Sequence, residues 1–570
     1  MLFDRLVKVY QELEDTASGN ELRKILAGLF SEVKPEEIAK ISYLTLGRIS
    51  SDYSGIVLGL AEKTVIKAIA KVGGISESKA KVILNETGDI GLAAEKILKK
   101  KPQTLIPMDK LTVIDLFSTL HKITTMSGSG SQDVKMNLLV NILQKASPAG
   151  AKYLSRIVLG TLRLGVAEMA VLDSLSIAFT GDKKNKEILE NAYNICPDLG
   201  IIAETLAIKG IKSVEKINIQ VGRPIKMMLA QRIGSLDELS KKMPGKVSVE
   251  GKYDGERIQA HYDKNGLVSL FSRRLDTNTS QFPDLVKYIK EQIGLKNKKD
   301  FIVEGEVLAI DSKGNPLPFQ TLMQRRRKHD IEKYVKDVPV QFKIFDILYF
   351  DGKQFFDEPY QKRIDLLKKI VHENKNIKIA DRIETDNIAK INLFFSNMLK
   401  SGYEGIMIKS LSGTYQAGVR GWNWIKWKKE YVTEMVDTFD LVIVGAFYGR
   451  GRRSGVYGAL LCAVYNAKED TFETVCKLGT GLTDEVLASI PKTLEPFKID
   501  HKPARLQIKK EMIPDIWFTP ELVVEVLAAE LTKSPFHSAG VALRFPRFLK
   551  FRDDKKAEQA TTKKELNEIV

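Results

Sequence analysis

Lys252 lies in the run Val249-Glu250-Gly251-Lys252-Tyr253-Asp254-Gly255-Glu256-Arg257. A lysine amine can attack phosphorus only after losing its proton, so its usual pKa of about 10.4 must be pulled down by desolvation or by nearby cations. Val247, Val249 and Gly251 alternate with polar neighbours, as in a half-buried strand, and Asp254-Gly255 is a tight-turn signal. The run therefore reads as a β-hairpin whose corner presents the lysine. Lys-x-Asp-Gly is expected by chance roughly 0.2 times in a chain this long, so the motif gains meaning only from its company.

That company follows downstream. Phe271-Ser272-Arg273-Arg274 closes one apolar strand, and Phe301–Leu308 carries Glu304 and Glu306 inside another. Ile344–Tyr349 offers Phe345 beside Asp346, and Tyr403–Lys409 brings Glu404 and Lys409. Trp422–Lys428 alternates aromatic residues with Lys426 and Lys428. Acids and lysines inside apolar strands are costly unless paired, hydrogen-bonded or bound to a metal. Five such strands in one stretch point to a single charged pocket. After Phe319-Gln320, the run Arg325-Arg326-Arg327-Lys328 reads as a contact for a nucleic-acid backbone, with a solvated helix face as the alternative.

The elements that must hold these residues fall into three regions. Residues 1–215 read as helices: Leu6, Val9, Tyr10 and Leu13 recur at helical spacing, Asn20 is the expected N-cap of the next helix, and Pro35 suits a first turn. Two features here could hold a ligand. Ser127-Gly128-Ser129-Gly130-Ser131 leads into a helix from about residue 132 to 145, and such an entry either offers free amides to a phosphate or is a plain linker. Lys152, Arg156 and Arg163, near Gly160 and Gly165, form a basic group that a solvated face also explains. Residues 216–425 are β-rich, broken by turns at Asp263–Gly266 and Ser312–Asn315, and suggest an α+β chemical domain. Residues 426–570 hold short strands at Leu441–Val444, Ala459–Val464, Thr474–Leu478 and Leu522–Val526, with a basic glycine loop at Gly449–Gly455. They suggest a five-stranded OB-fold barrel.

The totals agree with a multidomain protein that meets a polyanion. A chain of 570 residues exceeds a single core. The formal charge of +16 favours nucleic acid. Three scattered cysteines exclude a disulfide framework or zinc site and fit a reducing compartment. The start Met1-Leu2-Phe3-Asp4-Arg5 lacks the apolar run of a signal peptide, and no stretch approaches membrane-spanning length. The expectation is an intracellular protein, cytoplasmic or chromosomal.

The order Lys252-x-Asp254-Gly255-x-Arg257, Ser272-Arg273, Glu304-Gly305-Glu306, Phe345-Asp346, Glu404 through Lys409 and Lys426-x-Lys428 resembles the covalent nucleotidyltransferases. Within them it is most similar to the ATP-dependent DNA ligases of archaeal and eukaryotic replicative type, over nearly the whole chain. The resemblance implies an all-α N-terminal DNA-binding domain (1–215), an α+β nucleotidyltransferase domain (216–425) and a C-terminal OB-fold (426–570). It makes Lys252 the residue that carries AMP. Glu250 would read the adenine edge and Phe345 stack on the base, with Arg257 and Arg273 on ribose and phosphate. Glu306 would serve as ribose or metal carboxylate and Glu404 as a metal carboxylate for Mg2+, with Mn2+ as a substitute. Arg420, Lys426 and Lys428 would face the phosphates, with Lys409 near the α-phosphate. Arg544-Phe545-Pro546-Arg547-Phe548 and Arg552-Asp553-Asp554-Lys555 resemble the family's last motif, which orients the pyrophosphate, making Arg544 and Arg552 candidates.

The implied activity is ATP-dependent sealing of nicked duplex DNA by a monomer, in replication, repair and recombination. The competing readings are an RNA ligase or capping guanylyltransferase, and a nucleic-acid clamp with a dead pocket. Gln103-Thr104-Leu105-Ile106 has the glutamine and aliphatic residue of a sliding-clamp-binding peptide without its aromatic pair.

Overall fold

Alternation along the strands decides how the middle of the molecule is built. The structure, a computed structural model, describes residues 1–16, 18–100, 109–128, 130–162, 164–233, 236–325, 331–428, 437–449, 455–528 and 530–569. Gln103–Ile106, Ser129, Arg163, Arg326–Lys328 and Arg450–Ser454 lie outside these. One compact unit comprises Met1–Ala80 and Ala94–Tyr431, and a second comprises Lys81–Ala93 and Val432–Val570. Among the described residues, no helix is long and apolar enough to cross a membrane.

The first unit opens with helices from Phe3–Asp15 onward to Ile211–Val214. Their buried stripes follow the expected spacing, with Leu6, Tyr10, Leu13, Leu26 and Phe30 at 1% exposure or less. The cap of Gly19–Glu32 is Ser18, not Asn20: its side chain accepts from the Glu21 amide at 3.3 Å. Pro35 does open Pro35–Thr45. The helix Ser131–Lys145 begins one residue earlier than expected, with a left-handed Gly130 at its N-cap. Lys152 and Arg156 are committed to Glu14, at 2.5 and 2.7 Å, with the Tyr153 hydroxyl donating to it at 2.7 Å. This knot ties helix Pro148–Val158 to helix Phe3–Asp15, and a half-buried carboxylate explains both cations without a ligand.

Among the described residues, besides the two-residue strand Lys353–Gln354 that pairs with the end of Val340–Phe350, ten strands follow: β1 (Leu229–Arg232), β2 (Val247–Lys252), β3 (Glu256–Tyr262), β4 (Val268–Ser272), β5 (Phe301–Ala309), β6 (Val340–Phe350), β7 (Ile377–Ile379), β8 (Arg382–Thr385), β9 (Gly405–Ser410) and β10 (Arg420–Lys428). They form two sheets. The first has the order β1-β10-β9-β2-β8, and the second β4-β3-β5-β6 with β7 parallel beside β6. Strands β2 and β3 therefore do not pair. The expected hairpin at Lys252 is instead a crossover from one sheet to the other, and Gly255 makes it possible: a Cβ there would lie 2.3 Å from the Val307 carbonyl oxygen.

In the first sheet Val247, Val249, Ile406, Ile408, Ile425 and Trp427 pack with Ile391 and Phe395 of helix Ile388–Lys400. In the second, Ile258, Ala260, Val303, Val307, Phe342 and Ile344 pack with Ile364 and Leu367 of helix Tyr360–Ile370. The intervening positions carry the charges, and period-two alternation turns them toward the opposite sheet. That is why acids sit inside apolar runs: both faces of these strands are covered. Asp346 meets Arg363 in a fully buried fork at 2.7 and 3.1 Å. Arg325 is likewise buried, with a fork to Asp284 at 2.7 and 2.8 Å. Arg325 is thus a structural residue and not part of a nucleic-acid contact, since its guanidinium faces the interior.

The second unit holds β11 (Asp437–Tyr448), β12 (Tyr457–Asn466), β13 (Thr471–Leu478), β14 (Val523–Ala528) and β15 (Arg547–Phe551). Antiparallel pairing runs β13-β12-β11-β14-β15. A bridge from Thr480, just past β13, to Arg547 brings the two ends together. This is the expected five-stranded barrel, filled by Leu441, Ile443, Leu460, Val475, Val526 and Phe548.

Breaking the Asp346–Arg363 fork leaves a carboxylate buried without a counter-charge, which costs about 3–5 kcal/mol. Arg363→Met is expected to lower the denaturation midpoint of the first unit accordingly, whereas Lys362→Met on the exposed side of the same helix is expected to leave it nearly unchanged.

Candidate active site

Facing strands place the chemistry-bearing residues in rows. Lys252 lies opposite Gly405, and Gly405 opposite Lys428. Glu250 lies opposite Met407, and Met407 opposite Lys426; Ser248 lies opposite Lys409, and Lys409 opposite Trp424. The strand β10 continues past residue 425, so Lys426 and Lys428 share a sheet with Lys252. From the second sheet Arg257 lies opposite Glu306. The β5–β6 register shifts so that Glu304 faces Asp346 and Gly305 faces Ile344. Phe345 is the extra residue of this bulge, a device that re-aims a side chain.

Between the sheets is a cleft of about 620 Å³. Lys252, Glu250, Arg257, Arg273, Glu306, Phe345, Glu404, Lys409, Arg420, Lys426 and Lys428 all line it, together with Asp254, Met407 and Trp424. The candidate binding residues of these strands are thus brought together, whereas Glu304 and Asp346, expected in the same pocket, do not line it and are taken up by Arg257 and Arg363. Arg544 and Arg552 belong to the second unit. There Arg544 lies 3.8 Å from Glu530, while Arg552 is shared by Asp440 at 3.0 Å and Asp554 at 2.8 Å. Arg552 in this arrangement pins β11 to the C-terminal segment.

Lys252 ends β2 with its side chain 22% exposed, and its Nζ donates to Glu404. Lys428 reaches the same carboxylate at 3.2 Å. Burial works against ionised Glu404, yet Lys252 and Lys428 hold its carboxyl below the usual range. Glu306 behaves oppositely. Burial pushes it up to about 7, Glu404 and Asp254 push the same way, and Lys252 and Arg257 only partly offset them. Two neighbouring carboxylates thus differ in state: two lysines favour the ionised form of Glu404, while burial raises Glu306 toward its protonated form. The crowd of cations is centred on Lys426, whose ammonium is held below the usual lysine range by burial and then by Lys428, Lys252, Arg420 and Arg273. The nearest neighbour of Lys252 itself is a carboxylate, which the sequence did not suggest.

Lys409, expected near the α-phosphate, lines the cleft with its ammonium turned to Glu250. It is 2% exposed, 2.7 Å from Glu250, and 4.5 to 4.6 Å from the ring centres of Phe345, Tyr360 and Trp424. A desolvated ammonium needs a partner, and Glu250 supplies it. Arg257 is equally committed: it donates to the Met228 carbonyl and to Glu304, both at 2.7 Å.

Sequence reading missed the support behind Arg257. Glu304 also accepts from Tyr415 at 3.0 Å and from Gln259 at 3.0 Å. Gln259 bonds the backbone of Ile225 and the His261 ring at 2.9 Å, and the Gly222 amide donates to His261 Nδ1 at 3.0 Å. Burial pushes His261 down to about 3, so the ring is neutral, with its hydrogen on Nε2. The only signal for this chain was polar residues at every second position of β3, which the sequence does show.

A lysine at the edge of a nucleotide-sized cleft between two sheets is the arrangement of the covalent nucleotidyltransferases. Comparison with known proteins narrows the class. Three family descriptions match in succession: DNA ligase N terminus over residues 2–176, ATP dependent DNA ligase domain over 227–428, and ATP dependent DNA ligase C terminal region over 453–555. DNA ligase 2 of Thermofilum pendens is 45% identical over 586 aligned positions, covering 99% of this chain and 96% of that one. The DNA ligase of Nitrosopumilus maritimus is 43% identical over 577, covering 99% and 97%. A solved structure titled Pmar-Lig_PreS3 shares the fold, with a TM-score of 0.57 at 19% identity over 96% of this chain and 99% of that one. The chain belongs to the ATP-dependent DNA ligases.

A carboxyl whose folded pKa is raised contributes stability that is present below its unfolded pKa and lost as pH rises through its folded value. For Glu306 that window runs from about 4.5 to about 7. In metal-free buffer without nucleotide, Glu306→Gln is expected to flatten the fall in Tm between pH 5 and 8. An unchanged pH slope would show that Glu306 is already ionised.

Proposed function

We propose that this protein seals 3′-hydroxyl/5′-phosphate nicks in duplex DNA in three steps, with Lys252 as the nucleophile. Lys252 Nζ forms a P–N bond to the α-phosphorus of ATP as the α–β P–O bond breaks and pyrophosphate leaves. The AMP then passes to the DNA 5′-phosphate, and the 3′-hydroxyl displaces it. The observation that supports this most is the position of Lys252 at the end of β2, in a cleft with Glu306, Glu404, Lys426 and Lys428. Phosphoryl transfer needs positioning and charge stabilisation more than covalent help, and this cleft supplies both.

Each remaining residue has a part. Glu250 reads the base edge, and Phe345, aimed by its bulge, stacks on the base. Arg257 and Arg273 hold ribose and phosphate, Arg420, Lys426 and Lys428 face the phosphates, and Arg544 orients the pyrophosphate. Lys409 acts on the base side of the cleft. The two carboxylates Glu306 and Glu404 fit a hard divalent cation, Mg2+ with Mn2+ as substitute, completed by phosphate and water; among the described residues no larger acidic or histidine cluster competes. Such a cation would draw Glu404 off Lys252, favour the neutral amine and screen the phosphates. Three domains would act on the DNA, the helical one at 1–215, the two-sheet one from 216 and the barrel; the expected boundary at 425 moves past Lys428, where β10 ends, and the protein would work inside the cell as a monomer. A sliding clamp is proposed as a partner on the sequence of Gln103–Ile106 alone.

After incubation with ATP and Mg2+, intact-mass measurement should show the gain of one AMP, absent from Lys252→Ala. An unmodified wild-type protein would overturn the nucleophile. A nick with RNA on both sides should be sealed far more slowly than its DNA counterpart, and the reverse preference would favour an RNA ligase.

A further inference from the structure

Behind Glu250 lies a polar cluster that the three chemical steps do not use. Glu250 is 1% exposed and Tyr360 fully buried. Lys409 Nζ lies 2.7 Å from Glu250 Oε2, 3.2 Å from the Phe345 carbonyl and 3.3 Å from the Tyr360 hydroxyl. An ammonium has three N–H groups, and each has an acceptor here. On the other oxygen, Oε1, Glu250 accepts from Ser248 Oγ at 2.9 Å and from the Tyr360 hydroxyl. The Phe345 carbonyl is also 3.0 Å from that hydroxyl, but the carboxylate is the stronger acceptor and Lys409 already serves the carbonyl.

A carboxylate accepts about four hydrogen bonds. Three of those on Glu250 come from Ser248, Tyr360 and Lys409, and of these only Lys409 also lines the cleft. What this cluster leaves for the cleft is acceptor capacity on Glu250, because Lys409 has spent its own hydrogens.

We propose that Tyr360 and Lys409 are positioning residues that fix Glu250 as a pure acceptor, so that the cleft selects a purine with an exocyclic amine at position 6 over one with a carbonyl there. The proposal rests on the reading of Glu250 as the base contact. An amine donates to the open lone pair. A 6-carbonyl sets oxygen against oxygen, and Lys409 has no N–H left to relieve the clash, which is discrimination by repulsion as well as attraction. Without the Tyr360 hydroxyl, Glu250 Oε1 keeps only Ser248, and the carboxylate can turn about its last bond.

The test is nucleotide transfer to Lys252 in the full chain, with KM measured for ATP and for inosine triphosphate, which replaces the 6-amine by a carbonyl. In the unaltered protein the KM for inosine triphosphate should exceed that for ATP by at least about tenfold; equal values overturn the proposal without any variant. Tyr360→Phe, which keeps the ring, should raise the KM for ATP about tenfold and bring the two nucleotides closer together, alongside the lowered Tm that losing a buried hydrogen bond brings. Lys409→Met should do the same more strongly. A merely structural role would weaken both nucleotides alike and leave their ratio unchanged, and that result also overturns it. Glu250→Gln separates the two readings. If it collapses the ratio while Tyr360→Phe and Lys409→Met do not, the positioning role fails and the base contact stands. If it leaves the ratio intact, the base contact itself is wrong and the positioning role falls with it.

Discussion

Two sheets packed with their charged faces toward each other cannot leave a charge unmatched. Water is largely excluded between them, and an isolated ion there would cost several kcal/mol. Asp346 with Arg363, Glu304 with Arg257, and Glu250 with Lys409 are the matched pairs. They lie deep between the sheets. Toward the opening, the matching is incomplete: Glu306 is pushed toward its neutral form, Lys426 toward its own, and Glu404 is shared by two lysines. The residues with unsettled charge are those a nucleotide and a cation would settle. The site is where the rule of pairing is relaxed, on the lip of a framework in which it is strict.

The same framework extends away from the cleft. Arg257 is held by Glu304 and by the Met228 carbonyl, and Glu304 is held by Gln259 and Tyr415. Gln259 and His261 in turn fasten Ile225 and Gly222, which lie in the segment joining the helical region to the sheets. A hydrogen-bonded chain of buried groups thus runs from the end of the helices to the floor of the nucleotide cleft. Each member bonds the next, which fixes the two terminal nitrogens of Arg257 before any ligand arrives, while its buried Nε has no hydrogen-bond partner among the described residues.

Much of this was legible in the sequence, and the limits have physical causes. Lys252, Glu306, Glu404 and Lys428 carried their own signal, since a charge inside an apolar strand demands a reason. The barrel was visible in short apolar runs at regular spacing. The hairpin at Lys252 was misread because a tight-turn signal reports a reversal of the chain, while the pairing of the flanking strands depends on partners far away in sequence. Arg325 was misread because its run of basic neighbours looks solvated, and only the fold reveals Asp284 beneath it. Lys409 could be placed in the pocket but not oriented, because its aromatic surroundings come from three separated segments. Ser18 lost to Asn20 in the reading because two good capping residues lay two positions apart.

The bulge at Phe345 carries a last consequence. A residue inserted between two rungs of a ladder has no cross-strand pairing partner, so the ring of Phe345 is limited by Trp424, Arg257 and Lys409 around it and not by the rung spacing of β5 and β6. Replacing that ring with another flat side chain would leave the pairing of β5 and β6 intact. The ladder thus leaves latitude at a residue proposed to stack on the base, where a lineage could retune its grip on a nucleotide without renegotiating the pairing of β5 and β6.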